Sequence, residues 1–279
     1  MFKVGVETTS LSLAAYYLRL MPPSLEKEMA VGTGFFYEYE SYLYLITNGH
    51  NVTRVNPETN ERITSSIAFP VRIEHKVRRL IMDPLPSMVT EVVYVDLYTD
   101  EDYQMPKWFV HPLHGYKVDV VAIPVCGVEE VPKAIKINPI NKFDFEERFM
   151  LEVSDDVFIL GYPFALTGGK ELPIWKRGSI ATEPGIDIDD LPKMLVDTAT
   201  RKGMSGLPVI FRRTGIHTRS GGLADDTIFG TITGFVGIYS GRIGGEDEMQ
   251  AQLGIVWKKT VIEEILAAKM ISDTSFQNI

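Results

Sequence analysis

Apolar residues fall along this chain in short dense runs, separated by polar stretches rich in glycine, proline, asparagine and aspartate. Residues 31–36 form one run around Gly32-Thr33-Gly34, and residues 42–47 (YLYLIT) form a denser one of aromatic and β-branched side chains. Residues 92–98, 118–125, 157–160, 207–211 and 227–239 repeat the pattern. Runs of this length and composition read as strands. They are not interleaved with helix-length periodic segments, so the pattern predicts barrels or sandwiches instead of a parallel α/β sheet. Helical spacing is clear only over residues 259–270, where Val261, Ile262, Ile265 and Leu266 recur around Glu263 and Glu264. Residues 24–29 leave room for a single turn. Loops of mixed charge are expected over 56–66, 99–107 and 214–226, and the stretch 129–147, with Pro132 and Pro139, reads as a linker between two halves. No internal repeat or low-complexity tract interrupts this organisation.

Composition narrows the function classes. The chain has 279 residues, enough for one large β domain or two small packed ones. Twenty-eight Lys and Arg against 37 Asp and Glu give a net charge of −9. The one basic cluster, Lys76-Val77-Arg78-Arg79, is flanked by apolar residues, so a nucleic-acid partner is disfavoured. Cys126 is the sole cysteine, which excludes an intramolecular disulfide and leans towards a reducing, cytoplasmic setting. Residues 11–20 are semi-apolar, but Glu7 precedes them and Arg19 interrupts them, a poor match to a secretory signal. No run approaches the roughly 18 apolar residues of a membrane span.

Three separated pieces carry chemistry. In Leu45-Ile46-Thr47-Asn48-Gly49-His50 a strand ends at a histidine, giving a general base a fixed backbone. In Val118-Asp119-Val120-Val121-Ala122-Ile123 one carboxylate heads an apolar strand, where burial is costly without a donor such as a histidine N–H. In Gly203-Met204-Ser205-Gly206-Leu207-Pro208-Val209 a glycine-flanked serine leads into a strand, and the glycines let the backbone turn and bare its N–H groups.

Together these pieces resemble the three signature blocks of trypsin-like serine peptidases, in the order His, Asp, Ser. Gly32-Thr33-Gly34-Phe35-Phe36, residues 157–163 (VFILGYP), Arg177-Gly178-Ser179-Ile180 and Gly237-Ile238-Tyr239-Ser240 resemble further blocks, so the likeness runs from about residue 30 to residue 268. It is nearer to the disulfide-free bacterial members than to the digestive enzymes. The resemblance implies an all-β fold of two six-stranded antiparallel β-barrels with a C-terminal α-helix. The first barrel would span residues 1–135 and carry His50 and Asp119; the second would span 136–279 and carry Ser205.

The same resemblance implies a serine endopeptidase with His50, Asp119 and Ser205 as catalytic triad, Gly203 and Ser205 N–H groups as oxyanion hole, and Ala199, Tyr239 and Ser240 against the substrate. It implies a protein or peptide substrate and no cofactor, metal, nucleic acid or membrane. Two positions depart from the digestive pattern. Met204 precedes the nucleophile where those enzymes have an aspartate, so activation by N-terminal cleavage is not expected. Ala199 occupies the position resembling the pocket base, without charge to select Lys or Arg, and Tyr239 is expected to narrow the pocket. The alternative is a catalytically silent or partner-activated trypsin-like fold acting as a binding or regulatory module. His111 and His114 read as a surface turn, because no carboxylate or cysteine cluster in the sequence completes a metal site around them.

Overall fold

The protein is described by a computed structural model covering residues 9–65, 68–82, 87–146, 150–199, 204–217, 228–242 and 253–273. The first half supplies β1 (Ala15–Met21), β2 (Ala30–Tyr39), β3 (Tyr42–Thr47), a short helix α1 (Gly49–Thr53), β4 (Arg72–Ile81), β5 (Ser87–Asp96), β6 (Phe109–Val110), β7 (Val121–Gly127) and β8 (Ile135–Lys136). The second supplies β9 (Asp156–Gly161), β10 (Ile174–Ile180), β11 (Lys193–Asp197), β12 (Leu207–His217), β13 (Ile228–Arg242), β14 (Leu253–Lys258), the helix α2 (Thr260–Ala268) and β15 (Met270–Ile271). All pairings are antiparallel.

The outcome is all-β with a C-terminal helix, as the hydrophobic pattern predicts, in two sheets of which one is the closed six-stranded barrel that the resemblance implies. Strands β9 to β14 close into a six-stranded barrel in the order β10-β11-β14-β13-β12-β9. The other sheet has nine strands along β15-β6-β7-β3-β2-β1-β4-β5, with β8 beside β4, and its path does not close on itself. Here the six-stranded barrel that was expected is an open sheet, in which the two-residue strands β6, β8 and β15 join six longer ones; β15 returns from the C-terminus to pair with β6.

Local chemistry explains the main elements. Tyr39 pairs with Tyr42 across a two-residue turn in which Glu40 and Ser41 both take positive φ, the geometry that matches the twist of a tight hairpin. In α2 the apolar stripe Val261, Ile262, Ile265 and Leu266 is fully buried while Glu263 and Glu264 face outward. This helix lies against β6 and β7 as well as β14, so it braces the first sheet and does more than cap the barrel. Residues 24–29 hold the end of a β-turn, closed by Leu25 N–H on the Pro22 carbonyl, followed by bends and not a helical turn, with Leu25 at positive φ. The semi-apolar stretch at 11–20 is mostly β1, and its Leu18 and Leu20 are buried in the sheet core. No helix among the described residues is long and apolar enough to cross a membrane.

The two sheets share one core. Phe35, Ile46 and Val120 of the first half pack in the same cluster as Leu160, Ile210 and Ile238 of the barrel and the buried face of α2. A second cluster fills the first sheet, and His75 of β4 lies near it, edge-on to Tyr16 and Phe36 at 5.8 and 5.5 Å. Burial pushes the His75 imidazole down from 6.5 to about 4. Its folded value lies below the unfolded one, so only the unfolded chain binds a proton between those values. The contribution is therefore complete above pH 6.5 and is lost as the pH falls towards 4. The gap is worth about 3 kcal/mol. Urea titrations of wild type and His75→Gln between pH 7 and pH 4 should show the wild type losing up to about that much more stability than the variant.

Candidate active site

Strand β3 ends at Thr47, and the chain turns at Asn48 into α1, which carries His50 on its first turn. Opposite stands Asp119, on the segment leading into β7, only 2% exposed. Its carboxylate is fully engaged. Oδ1 accepts from the backbone N–H of His50 at 2.8 Å, and Oδ2 from His50 Nδ1 at 2.6 Å. Ser240 Oγ, from β13 of the barrel, also donates to Oδ2. Asn48 Nδ2 donates to the Asp119 backbone carbonyl at 2.6 Å. Because Nδ1–H donates to the carboxylate, the neutral ring keeps its lone pair on Nε2, the nitrogen available to act as a base.

Ser205 sits on the turn before β12 and is tied to the same region through its backbone. Its carbonyl accepts from Thr33 N–H at 3.0 Å, and the next N–H, of Gly206, donates to the Tyr239 carbonyl at 3.0 Å. Thr33 in turn is linked to the histidine helix: Thr47 Oγ1 donates to the Thr33 carbonyl at 2.8 Å, and Asn51 Nδ2 donates to Thr47 Oγ1 at 2.9 Å. The serine turn, the Gly-Thr-Gly strand and the histidine helix thus form one hydrogen-bonded block. Among the described residues, no hydrogen bond joins the Ser205 hydroxyl to His50 Nε2.

Gly206 makes this docking possible. Its φ is +82°, and a Cβ there would lie 1.9 Å from the Thr33 carbonyl oxygen and 2.7 Å from Thr47 Oγ1. No side chain fits. Met204 is buried in the barrel core, which leaves no exposed group at that position to pair with a charged partner.

A cavity of about 650 Å³ opens beside His50, Asp119 and Ser240. Leu191, Ile255 and Trp257 give it apolar walls, and Lys117 and Glu58 stand at its rim. Lys193 is nearly buried there and is neutralised by Asp189 at 3.1 Å.

The remaining expected residues divide. Gly203 lies outside the described residues. Ala199 is exposed, two residues past the end of β11. Tyr239 is fully buried in the barrel core, where its ring covers Gly254, so it forms part of the barrel filling and not an open wall. Ser240 was expected against substrate, yet its hydroxyl is directed to Asp119. The surface turn expected at His111 and His114 is present, with Leu113 exposed at its tip, but the His111 ring is buried: Nε2 lies 2.6 Å from Glu264 of α2, and Nδ1 accepts from the backbone N–H groups of Leu113 and His114. The Thr33–Thr47–Asn51 chain escaped sequence reading because its members are ordinary polar residues inside strand and helix. The one available signal was their presence in otherwise apolar runs.

No family model matches the chain, and no curated protein does. Among solved structures, it is similar to an inactive serine-to-alanine form of Rv3671c from M. tuberculosis, at 14% identity, covering 96% of each chain with a TM-score of 0.44. It is also similar to a thermostable serine protease, AL20, from an extremophilic microorganism, at 11% identity, covering 93% of this chain and 98% of that one with a TM-score of 0.47. Likenesses this remote carry no weight for chemistry. That has to rest on the residues themselves.

Gly206→Ala should lower the unfolding free energy by more than about 2 kcal/mol, since both the positive φ and the Thr33 contact resist a methyl group. Gly215→Ala, also at positive φ (+148°) but with nothing within 4 Å, is the control and should cost clearly less. Denaturant titration of the two variants makes the comparison.

Proposed function

We propose that this protein is a serine endopeptidase, with Ser205 as nucleophile, His50 as general base and Asp119 as the group that orients it. The observation that carries the reading is the saturation of a buried Asp119 by His50 and Ser240, with the Ser205 turn anchored to the same block through Thr33. A carboxylate held by its neighbouring imidazole fixes the tautomer that a base needs and stabilises the imidazolium that follows.

The chemistry then runs as acyl transfer. Ser205 Oγ attacks the scissile carbonyl carbon while its proton passes to His50 Nε2. The resulting oxyanion would be met by the backbone N–H groups of Ser205 and Gly203, each worth about 3 kcal/mol. The carbon–nitrogen bond breaks as Nε2 returns the proton to the leaving amine. Water, deprotonated by the same nitrogen, hydrolyses the acyl-enzyme and restores the serine. The cavity beside His50, with its apolar walls, supports binding of an extended peptide there, and the uncharged Ala199 supports no preference for Lys or Arg.

A second reading has one observation in its favour. The open Ser205–His50 pair suits a peptidase whose serine turn tightens only when substrate or a partner binds, since such contacts often close in the complex. Under this reading basal reactivity is low and rises with the trigger.

A fluorophosphonate probe separates the possibilities. The wild type should label on Ser205, as located by mass spectrometry, and Ser205→Ala should not label. Asp119→Asn should slow labelling by about 10⁴-fold while leaving the thermal midpoint in the native range. No labelling of the wild type, with or without peptide, would favour a silent binding module.

A further inference from the structure

Away from the triad, strands β1 and β4 pair only over Arg19–Met21 and Arg72–Glu74. Further along β4, Arg78 and Arg79 pair with β8 instead. Between these contacts, residues 75–77 have no strand partner on that edge among the described residues. A cavity of about 430 Å³ occupies the gap, walled by Tyr17, Tyr162, Ala165, Thr167 and Glu171. None of His50, Asp119 or Ser205 lines it.

The charges around this cavity are separated, not random. At one end Arg19 Nη2 meets Glu28 at 2.7 Å while Nη1 meets Glu74, so two carboxylates share one guanidinium and one negative charge is left over. In the middle Lys76 pairs with Glu171. At the other end Arg78 has no carboxylate partner among the described residues, leaving one positive charge over. The three cations and three carboxylates cancel overall, so a simple anion finds no net attraction, whereas a dipolar ligand finds both ends complementary. A further polar atom points to an absent partner: His75 lines the cavity, is 3% exposed, and its Nδ1 has no hydrogen bond.

We propose that this cleft binds a short peptide with free termini, its carboxylate on Arg78 and its ammonium group between Glu28 and Glu74. Length follows from the strand. Glu74 and Arg78 are four residues apart on one face of β4, about 13 Å. An extended tripeptide spans about 10 Å, so about 3 Å remain for the contacts to its two termini; a single amino acid cannot reach both. The unpartnered edge at residues 75–77 offers the peptide backbone the pairing that β1 gives up, a small instance of strand addition. Arg78 suits the carboxylate because its guanidinium presents two parallel donors. This proposal does not depend on the catalytic reading.

Calorimetric titration of trialanine into the Ser205→Ala protein, which cannot acylate at Ser205, tests it. Binding is expected in the millimolar range or tighter, with one peptide per chain. N-acetylation or C-terminal amidation of the peptide should each weaken binding by about tenfold or more. Arg78→Gln should weaken trialanine as much as amidation does, with no further loss when the two are combined. Arg79→Gln, whose arginine is held by Glu91, should bind as before. Absence of binding up to about 10 mM, equal binding of the capped peptides, or indifference to Arg78→Gln would each overturn the proposal. The capped peptides decide it on unaltered cleft residues even if Arg78→Gln misfolds.

Discussion

A carboxylate buried to 2% exposure is the constraint around which the candidate site is organised. Left alone, Asp119 would cost several kcal/mol to dehydrate. The fold supplies a backbone N–H and a ring N–H from α1 and a hydroxyl from β13, so both oxygens are satisfied. These donors come from two separate places in the architecture, α1 and β13. The carboxylate can be satisfied only when the histidine helix and the barrel strand are both in position. Gly49 shares in this, because a Cβ there would already stand 3.2 Å from Asp119 Oδ1.

The serine arrives by a separate route with the same logic. Its turn is held by two main-chain bonds, one accepted from Thr33 N–H and one donated to the Tyr239 carbonyl, one in each sheet. Behind these polar contacts lies the cluster that spans both sheets and α2, so positions near the cleft are backed by continuous close packing. Groups held this way keep their geometry without rearranging when charge develops, which is what a site for acyl transfer requires.

Much of this was legible in the chain because polar residues stand out where an apolar run should continue. His50 closes one such run, Asp119 opens another, and Ser205 sits between glycines ahead of a third. The helix α2 was equally plain from its stripe. What stayed hidden needed long-range pairing. Ser240 is 121 residues from Asp119, and nothing local distinguishes its hydroxyl from any other at a strand end. Strand β1 was obscured by Arg19, whose charge is absorbed by Glu28 and Glu74, and β4 read as a basic cluster because its outward side chains are ionic. The turn at His111 was legible, but the burial of its ring against Glu264 of α2 was not, since the partner is 153 residues away. Extension of the first sheet by β15 could not be read from two residues, Met270 and Ile271, with no pattern of their own.

Acyl transfer at this site requires that folding bring the His50 imidazole and the Ser205 hydroxyl to one reacting centre. A crystal structure of the protein after exposure to a phosphonate inhibitor tests this most directly. The expected result is a phosphorus–oxygen bond at Ser205 Oγ, with His50 Nε2 within about 3.2 Å of an adduct oxygen and its Nδ1 still on Asp119. An unmodified Ser205, or an adduct on Ser205 that the His50 ring does not approach, would contradict it.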